Sequence, residues 1–375
     1  MAGIYIHVPF CRQACHYCDF HFSTNLQLLN EMVEAINKEL SSRSSYLKDE
    51  VQTIYFGGGT PSLLSADLIQ SILDKMFDLF DISNEVEITL EANPEDLSES
   101  YAKNIKNVGI NRLSIGVQTF DDDRLKWMNR AHSSGQSKIA IQHARNAGFD
   151  NISLDLIYAI PGHDRGVWNE ELEKICSMNP EHISLYGLTI EEKTVFGKWA
   201  KENKLDQVSE GNAADQYLHA IEYLKKAGYN QYEVSNFGKN GYHSRHNSAY
   251  WRGIPYLGIG PGAHSFNGLS RRFNMRNNAK YIRAIENDSL YYEEELLSAT
   301  QLVNEKILTQ LRTTQGLNLS EIDEGLDVIF EEMHAELLKS LQNHGLIMRS
   351  NGFLRLTSKG FLIADDLALK LFFQE

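Results

Sequence analysis

The run Tyr5-Ile6-His7-Val8-Pro9-Phe10-Cys11-Arg12-Gln13-Ala14-Cys15-His16-Tyr17-Cys18-Asp19-Phe20 carries an apolar, β-branched start straight into three closely spaced cysteines. Ile4–Val8 reads as a first strand, and the cysteine loop follows it directly. The spacing C-x3-C-x2-C puts Cys11, Cys15 and Cys18 on one short loop. Three thiolates can hold three corners of an iron–sulfur cubane, leaving the fourth iron without a protein ligand. Electron-transfer clusters are normally closed by four cysteines, so an open corner points to an exogenous ligand or to reactivity. The remaining cysteine, Cys176, lies far along the chain in a helical stretch and reads as a small buried residue. A structural zinc site made by the same cysteines with His16 or His21 is the competing assignment. Position favours the cluster, because a TIM-like fold places its chemistry at the C-terminal ends of its strands. Tyr17 would supply an aromatic neighbour for a purine.

Outward from this loop, short β-branched runs alternate with amphipathic stretches up to about residue 190. The runs Thr53–Phe56, Glu87–Glu91, Arg112–Gly116, Ile152–Leu156 and His182–Tyr186 read as further strands. Leu28–Leu40, Ala66–Phe77, Ser98–Val108 and Gly135–Ala147 read as helices between them. Strands alternating with helices imply βα units and a parallel sheet. Six such units predict an α/β fold, a partial (β/α)6 TIM-like barrel, over residues 1–205. Residues 206–290 are less regular, rich in Gly, Asn, Tyr and Arg, and read as an extension. Residues 291–375 change to short helices and a hairpin at Asn351-Gly352, which predicts a small helical, winged-helix-like C-terminal domain.

Composition bounds the function. Asp and Glu (50) outnumber Lys and Arg (36), giving a net charge of −14. Such a chain repels polyanions, so nucleic acid is not an expected partner. No apolar stretch is long enough to span a bilayer, and the N-terminus lacks the pattern of a signal peptide, so the expected location is the cytoplasm.

The second predicted strand ends in Phe56-Gly57-Gly58-Gly59-Thr60-Pro61. Consecutive glycines let backbone groups approach a ligand, although a tight βα turn has the same composition. Neither the P-loop nor the dinucleotide-binding glycine pattern is present. Glu91, Gln118, Arg130 and Asp155 lie at or after predicted strand ends. Each alone reads as a cap or a surface residue, but their repeated placement at one edge of successive βα units points to a shared site.

Together, Tyr5 to Phe20, the glycine run and these polar positions resemble the radical S-adenosylmethionine (SAM) superfamily. The closer resemblance is to the branch holding oxygen-independent coproporphyrinogen III dehydrogenase and the HemW-type heme chaperones. It covers essentially the whole chain and implies a [4Fe–4S] cluster on Cys11, Cys15 and Cys18. It also implies SAM contacts from Tyr5, Tyr17, Gly58, Gly59, Thr60, Glu91, Gln118, Arg130 and Asp155. In such proteins SAM chelates the open iron, and one electron cleaves it to methionine and a 5′-deoxyadenosyl radical. Arg130 suits the SAM carboxylate, since guanidinium binds carboxylate through two parallel hydrogen bonds. Glu91, Gln118 and Asp155 suit the ribose and nearby polar groups.

Two departures separate the branch members. The dehydrogenase carries a fourth cysteine two residues after the third, where this chain has Phe20. It also has a longer segment ahead of the cluster motif, where this chain has ten residues. Both favour the chaperone. His246-Asn247-Ser248-Ala249-Tyr250-Trp251 resembles the H-N-x-x-Y-W motif associated with heme binding in those chaperones. The resemblance therefore implies heme as a third cofactor, with His246 as an axial ligand and Tyr250 and Trp251 against a porphyrin face. His243 and His264 are alternative ligands. Tyr256–Phe266 resembles the family's glycine-rich stretch near the active-site mouth. The expected function is to bind heme and deliver it to recipient hemoproteins without coproporphyrinogen dehydrogenase activity. Oxidative decarboxylation of coproporphyrinogen III is the alternative. The expected partners are heme, the recipients and an electron donor, with room for peripheral membrane association and a homodimer.

Overall fold

The computed structural model describes residues 1–374. Six strands run parallel in chain order: β1 (Ala2–Val8), β2 (Val51–Gly58), β3 (Ile82–Ala92), β4 (Arg112–Gln118), β5 (Ile152–Tyr158) and β6 (His182–Gly187). Helices Leu29–Ser42, Ala66–Leu79, Glu99–Asn107, Ser134–Asn146 and Arg165–Ser177 lie between successive strands. Four of them start on a side chain that caps the first turn: Ser65, Ser98, Ser133 and Asp164 each accept a backbone N–H. The expected (β/α)6 architecture is present.

Alternation along the strands decides where the site lies. Ile4, Ile6, Val8, Ile54, Phe56, Leu113, Ile115, Val117, Leu154, Leu156, Ile183 and Leu185 pack in the apolar core. The residues between them form the opposite face of the sheet: Tyr5 and His7, Thr53 and Tyr55, Glu91, Arg112 and Ser114, Ser153 and Asp155, His182 and Ser184. Contacts among these confirm that they share the hollow of the barrel. Tyr5 stacks on Tyr55, Ser114 donates to Asp155 at 3.3 Å, and Ser153 bonds His182 at 2.7 Å. A parallel sheet is buried on both faces; here one of those faces is polar.

Beyond residue 205 the chain adds short strands to the sheet. β8 (Asn236–Gly238) pairs antiparallel with β6 and β7 (Asn230–Gln231) antiparallel with β8, while β9 (Tyr256–Ile259) pairs parallel with β1. β10 (His264–Phe266), β11 (Ser270–Asn274) and β12 (Tyr292–Leu296) continue from β9. The segment extends both ends of a single 12-stranded sheet whose outermost strands are β12 and β7. Strands of two to five residues are too short to show a two-residue period in sequence.

A buried ion pair fastens this flank. Glu39 accepts from Gly260 N and Asn274 Nδ2, both at 2.8 Å, and from the Tyr281 hydroxyl. Arg43 donates to Glu39 at 3.4 Å, to Gly258 O at 3.1 Å and to Ser265 Oγ at 3.1 Å. In the C-terminal region, β13 (Leu317–Asn318), β14 (Ile347–Ser350) and β15 (Phe353–Leu356) form a second sheet in the order β13-β15-β14. Asn351 and Gly352 turn the hairpin at φ 52° and 79°, the left-handed pair that an Asn-Gly turn favours. Helices Ala299–Leu311 and Ala335–Asn343 complete the winged-helix-like unit.

Candidate functional site

The cysteine loop leaves the C-terminal end of β1 and is tied down on both sides. On one, the His16 backbone N–H donates to Met128 O at 3.0 Å, its ring bonds Trp127 O at 2.8 Å, and Asn129 Nδ2 donates to Ala14 O at 2.7 Å. On the other, Asn278 donates to Pro9 O at 3.3 Å and accepts from His21 Nε2 at 2.8 Å. The glycine turn after β2 is laced to the same loop: Gly59 N donates to Val8 O at 2.9 Å and Thr60 N to Phe10 O at 2.7 Å. A Cβ on Gly59 would lie 2.5 Å from Phe10 O, and one on Gly58 (φ 107°) 2.6 Å from the His7 ring. Both glycines are required by close approach.

Cys11, Cys15 and Cys18 are free and half-buried. Burial pushes the Cys11 thiol up to about 12, and burial likewise raises Cys18. Cys15 and Cys18 add to the rise at Cys11, and among the described residues no three His, Cys, Asp or Glu side chains converge on a single point. His16 and His21 are already hydrogen-bonded to Trp127 O and Asn278. Three thiols on one short loop are the donor set of a cubane with one open iron.

The polar positions expected at strand ends gather beside this loop. Arg130 Nη1 donates to Cys15 Sγ at 3.4 Å, and Nη2 to Asn93 Oδ1 at 2.7 Å and Gly116 O at 3.0 Å. Its Nε is buried without a partner among the described residues. Asn93 also donates to Thr60 Oγ1 at 3.2 Å, joining the arginine to the glycine turn. Glu91 accepts from Tyr55 at 2.8 Å and from Gly58 N at 3.2 Å. Burial raises Glu91 to about 7 and Asp155 to about 6. Tyr5 lies above Tyr55 and donates to His7 Nδ1 at 3.2 Å. Gln118, in the left-handed region at φ 69°, follows a register shift in β4. Tyr17 packs against the small core cluster that includes Leu125, Met128 and Phe196, with its side chain close to Arg130. Phe20, 73% exposed, stands where the dehydrogenase has its fourth cysteine.

His246 stands apart from these residues. Its ring is 2% exposed, inside the barrel. Nδ1 bonds Thr53 Oγ1 at 2.7 Å and Nε2 bonds Tyr250 at 2.9 Å. It stacks on Tyr55 at 5.0 Å, and a Cβ on Gly3 would lie 3.4 Å from it, so it plugs the N-terminal end of the hollow, opposite the cysteines. Burial lowers its pKa to about 3. Both ring nitrogens are hydrogen-bonded on the barrel floor, so ligating heme iron would require one of these bonds to break. Tyr250 packs edge-on to Tyr256, and Trp251 lies under the Arg312 guanidinium, so neither presents an open face to a porphyrin.

Sequence reasoning missed three contributors. Asn93 was readable from its place in Glu91-Ala92-Asn93-Pro94, after the carboxylate. His7 was visible two residues after Tyr5 on the same strand face. Arg112, 1% exposed, forms no ion pair among the described residues, yet its charge lowers the pKa of both Glu91 and Asp155. Among the described residues no helix is long and apolar enough to cross a membrane.

Comparison with known proteins agrees with this geometry. The family model described as the radical SAM superfamily matches residues 5–175, and the HemN C-terminal domain matches residues 297–363. The heme chaperone HemW of Lactococcus lactis is 34% identical over 97% of this chain and 95% of its own. The heme chaperone HemW of Bacillus subtilis is 33% identical over 98% of both. Coproporphyrinogen III oxidase (HemN) from Escherichia coli, described as a radical SAM enzyme, superposes with a TM-score of 0.84 at 22% identity, over 99% of this chain and 89% of that one. That last likeness shows the fold alone. With its cysteine loop, polar barrel edge and full-length curated relatives in agreement, the chain belongs to the radical SAM superfamily, in the family of the HemW proteins.

Proposed function

We propose that the chain is a cytoplasmic heme chaperone that binds heme and passes it to recipient hemoproteins, with a [4Fe–4S] cluster on Cys11, Cys15 and Cys18 and SAM beside it. One observation carries this: the relatives matching nearly the whole chain at 33–34% identity are named heme chaperones. Phe20 supports it, since an exposed phenyl ring can neither ligate iron nor move a proton where the dehydrogenase has a cysteine. When bound, the cluster and SAM supply a one-electron route to breaking a sulfonium carbon–sulfur bond.

The protein's own residues hold and orient these groups. Asn93 and Gly116 O aim the Arg130 guanidinium at the cysteine loop, where a carboxylate can meet it. Glu91, held by Tyr55 and the Gly58 N–H, and Asp155, held by Ser114, offer acceptors to hydroxyl and amino groups inside the barrel. The helices outside the sheet keep water from its apolar face. The test is to incubate the anaerobically reconstituted protein with coproporphyrinogen III, SAM and a reductant, and separately with heme. Stoichiometric heme binding without protoporphyrinogen is the expected result. Several turnovers to protoporphyrinogen would overturn the chaperone function in favour of the dehydrogenase.

A further inference from the structure

The chain has 13 histidines, and in the structure all but His243 and His264 are engaged by a hydrogen bond or an ion pair. His243 lies on the surface with its ring stacked on Tyr232 at 4.2 Å. His264 is half-buried and faces a cavity of about 570 Å³, within the range of small-molecule and cofactor sites. Phe273, Leu290, Tyr291 and Tyr292 supply apolar and aromatic wall, and Arg276 supplies a cation. Phe273 meets the His264 ring edge-on at 4.7 Å and fixes its plane. Leu290 is 73% exposed, an apolar side chain left uncovered at the rim.

Arg276 is equally uncommitted: among the described residues it makes no hydrogen bond or ion pair, whereas its neighbours Arg271 and Arg272 pair with Glu305 and Glu294. Glu293 also lines the cavity, paired in register with Phe273, so a carboxylate entering the cavity is drawn to the Arg276 end and repelled from the other. Burial, helped by Arg276 and Arg271, disfavours protonation of His264, so its ring carries a free lone pair at neutral pH.

Topology places the cavity beside the cysteine loop. β9 runs parallel to β1, so the start of β10 and the end of β11 lie at the same edge of the sheet as the loop. A Cβ built on Gly262 would lie 3.3 Å from Arg276 Cγ and 3.5 Å from His21 Cβ, so the arginine and the loop are neighbours across that glycine.

We infer that this cavity receives the heme, with the His264 imidazole as axial ligand to the iron, the aromatic wall against the macrocycle and Arg276 paired with a propionate. The inference rests on the chaperone function proposed above and replaces His246 with His264 as the ligand. A neutral imidazole with nothing else to bind, set in an aromatic cavity beside an unpaired guanidinium, has the donor set that a ferric dianionic tetrapyrrole requires.

The test uses the full-length, cluster-reconstituted protein titrated with hemin and followed by visible absorption and electron paramagnetic resonance. His264→Ala is expected to shift the heme band, to change the iron spin state and to weaken binding roughly tenfold or more. Added imidazole should restore the wild-type spectrum of that variant, which a mere packing defect would not allow. Arg276→Ala should weaken binding several-fold with the band in place. Circular dichroism and iron content, unchanged in both variants, show that they are folded. A His264→Ala protein with wild-type band and affinity overturns the assignment while leaving the chaperone function standing. A wild-type protein that binds no heme overturns the chaperone function itself.

Discussion

Replacing His246 with alanine separates a barrel-floor residue from a heme ligand. The variant loses a buried hydrogen bond to Thr53 and a part-buried one to Tyr250, and leaves both hydroxyls without that partner. An orphaned buried polar group costs about 1–3 kcal/mol, and the void left by the ring adds to it, so the expected loss is roughly 3–5 kcal/mol. The sign of the pH dependence follows from the lowered pKa. Folding moves His246 from 6.5 to about 3, so in that window the unfolded chain binds more protons than the folded one. The stability is present above pH 6.5 and is lost as the pH falls toward 3. At about 1.4 kcal/mol per pH unit, His246 makes the wild type roughly 2–3 kcal/mol less stable at pH ~4.5 than at neutral pH. The variant lacks that contribution, so its pH profile should be flatter. Urea unfolding followed by circular dichroism at a series of pH values measures both quantities. A wild-type midpoint and slope in the variant, with the heme band lost, would refute this account of His246 and restore it as a ligand.

The other expectations concern the cluster, SAM and the fold. Cys11→Ala, Cys15→Ala or Cys18→Ala should each abolish the iron and sulfide retained after reconstitution, while Cys176→Ala should retain about four of each. Stoichiometric zinc and no cluster in the wild type would defeat that assignment. Arg130→Ala should lower SAM affinity by about one to two decades, as the loss of a charge-assisted contact of roughly 1.5–3 kcal/mol requires; unchanged equilibrium binding would remove Arg130 from the site. Glu39→Ala should destabilise the fold by about 3–5 kcal/mol, because it leaves Arg43 buried without its counter-charge. A denaturation midpoint within experimental scatter of wild type would show that the pair is dispensable.

The cysteine loop, the six strands and the Asn351-Gly352 hairpin were legible because each rests on local pattern. Chain order alone carried the βα units. The polar lumen was also written in the sequence, in alternations such as Leu113-Ser114-Ile115-Gly116-Val117-Gln118 and His182-Ile183-Ser184-Leu185-Tyr186. Read only as β-branched runs, these hid the fact that one sheet face is polar. The pairing of β9 with β1 could not be read, because a four-residue strand near residue 256 carries no mark of its partner. The fate of His246 was hidden for a related reason: its burial depends on space left by Gly3 and on the Thr53 hydroxyl, both far away in sequence. Glu39 and Arg43 stand i,i+4 on one helix, a spacing that solvated surface pairs share. The place of Glu39 three residues after Ile36, on the apolar side of the helix, was the available warning.

The pairing of Gly3–Ile6 with Tyr256–Ile259 also fixes when the protein can be finished. At about 5–20 residues per second, the ribosome delivers β9 some ten to fifty seconds after β1. For most of that interval the three thiols have been made, while Asn278, which holds Pro9 and His21, has not. The nascent chain therefore presents its metal ligands long before it can shelter them. The loop takes its final packing only once β9 and Asn278 have emerged.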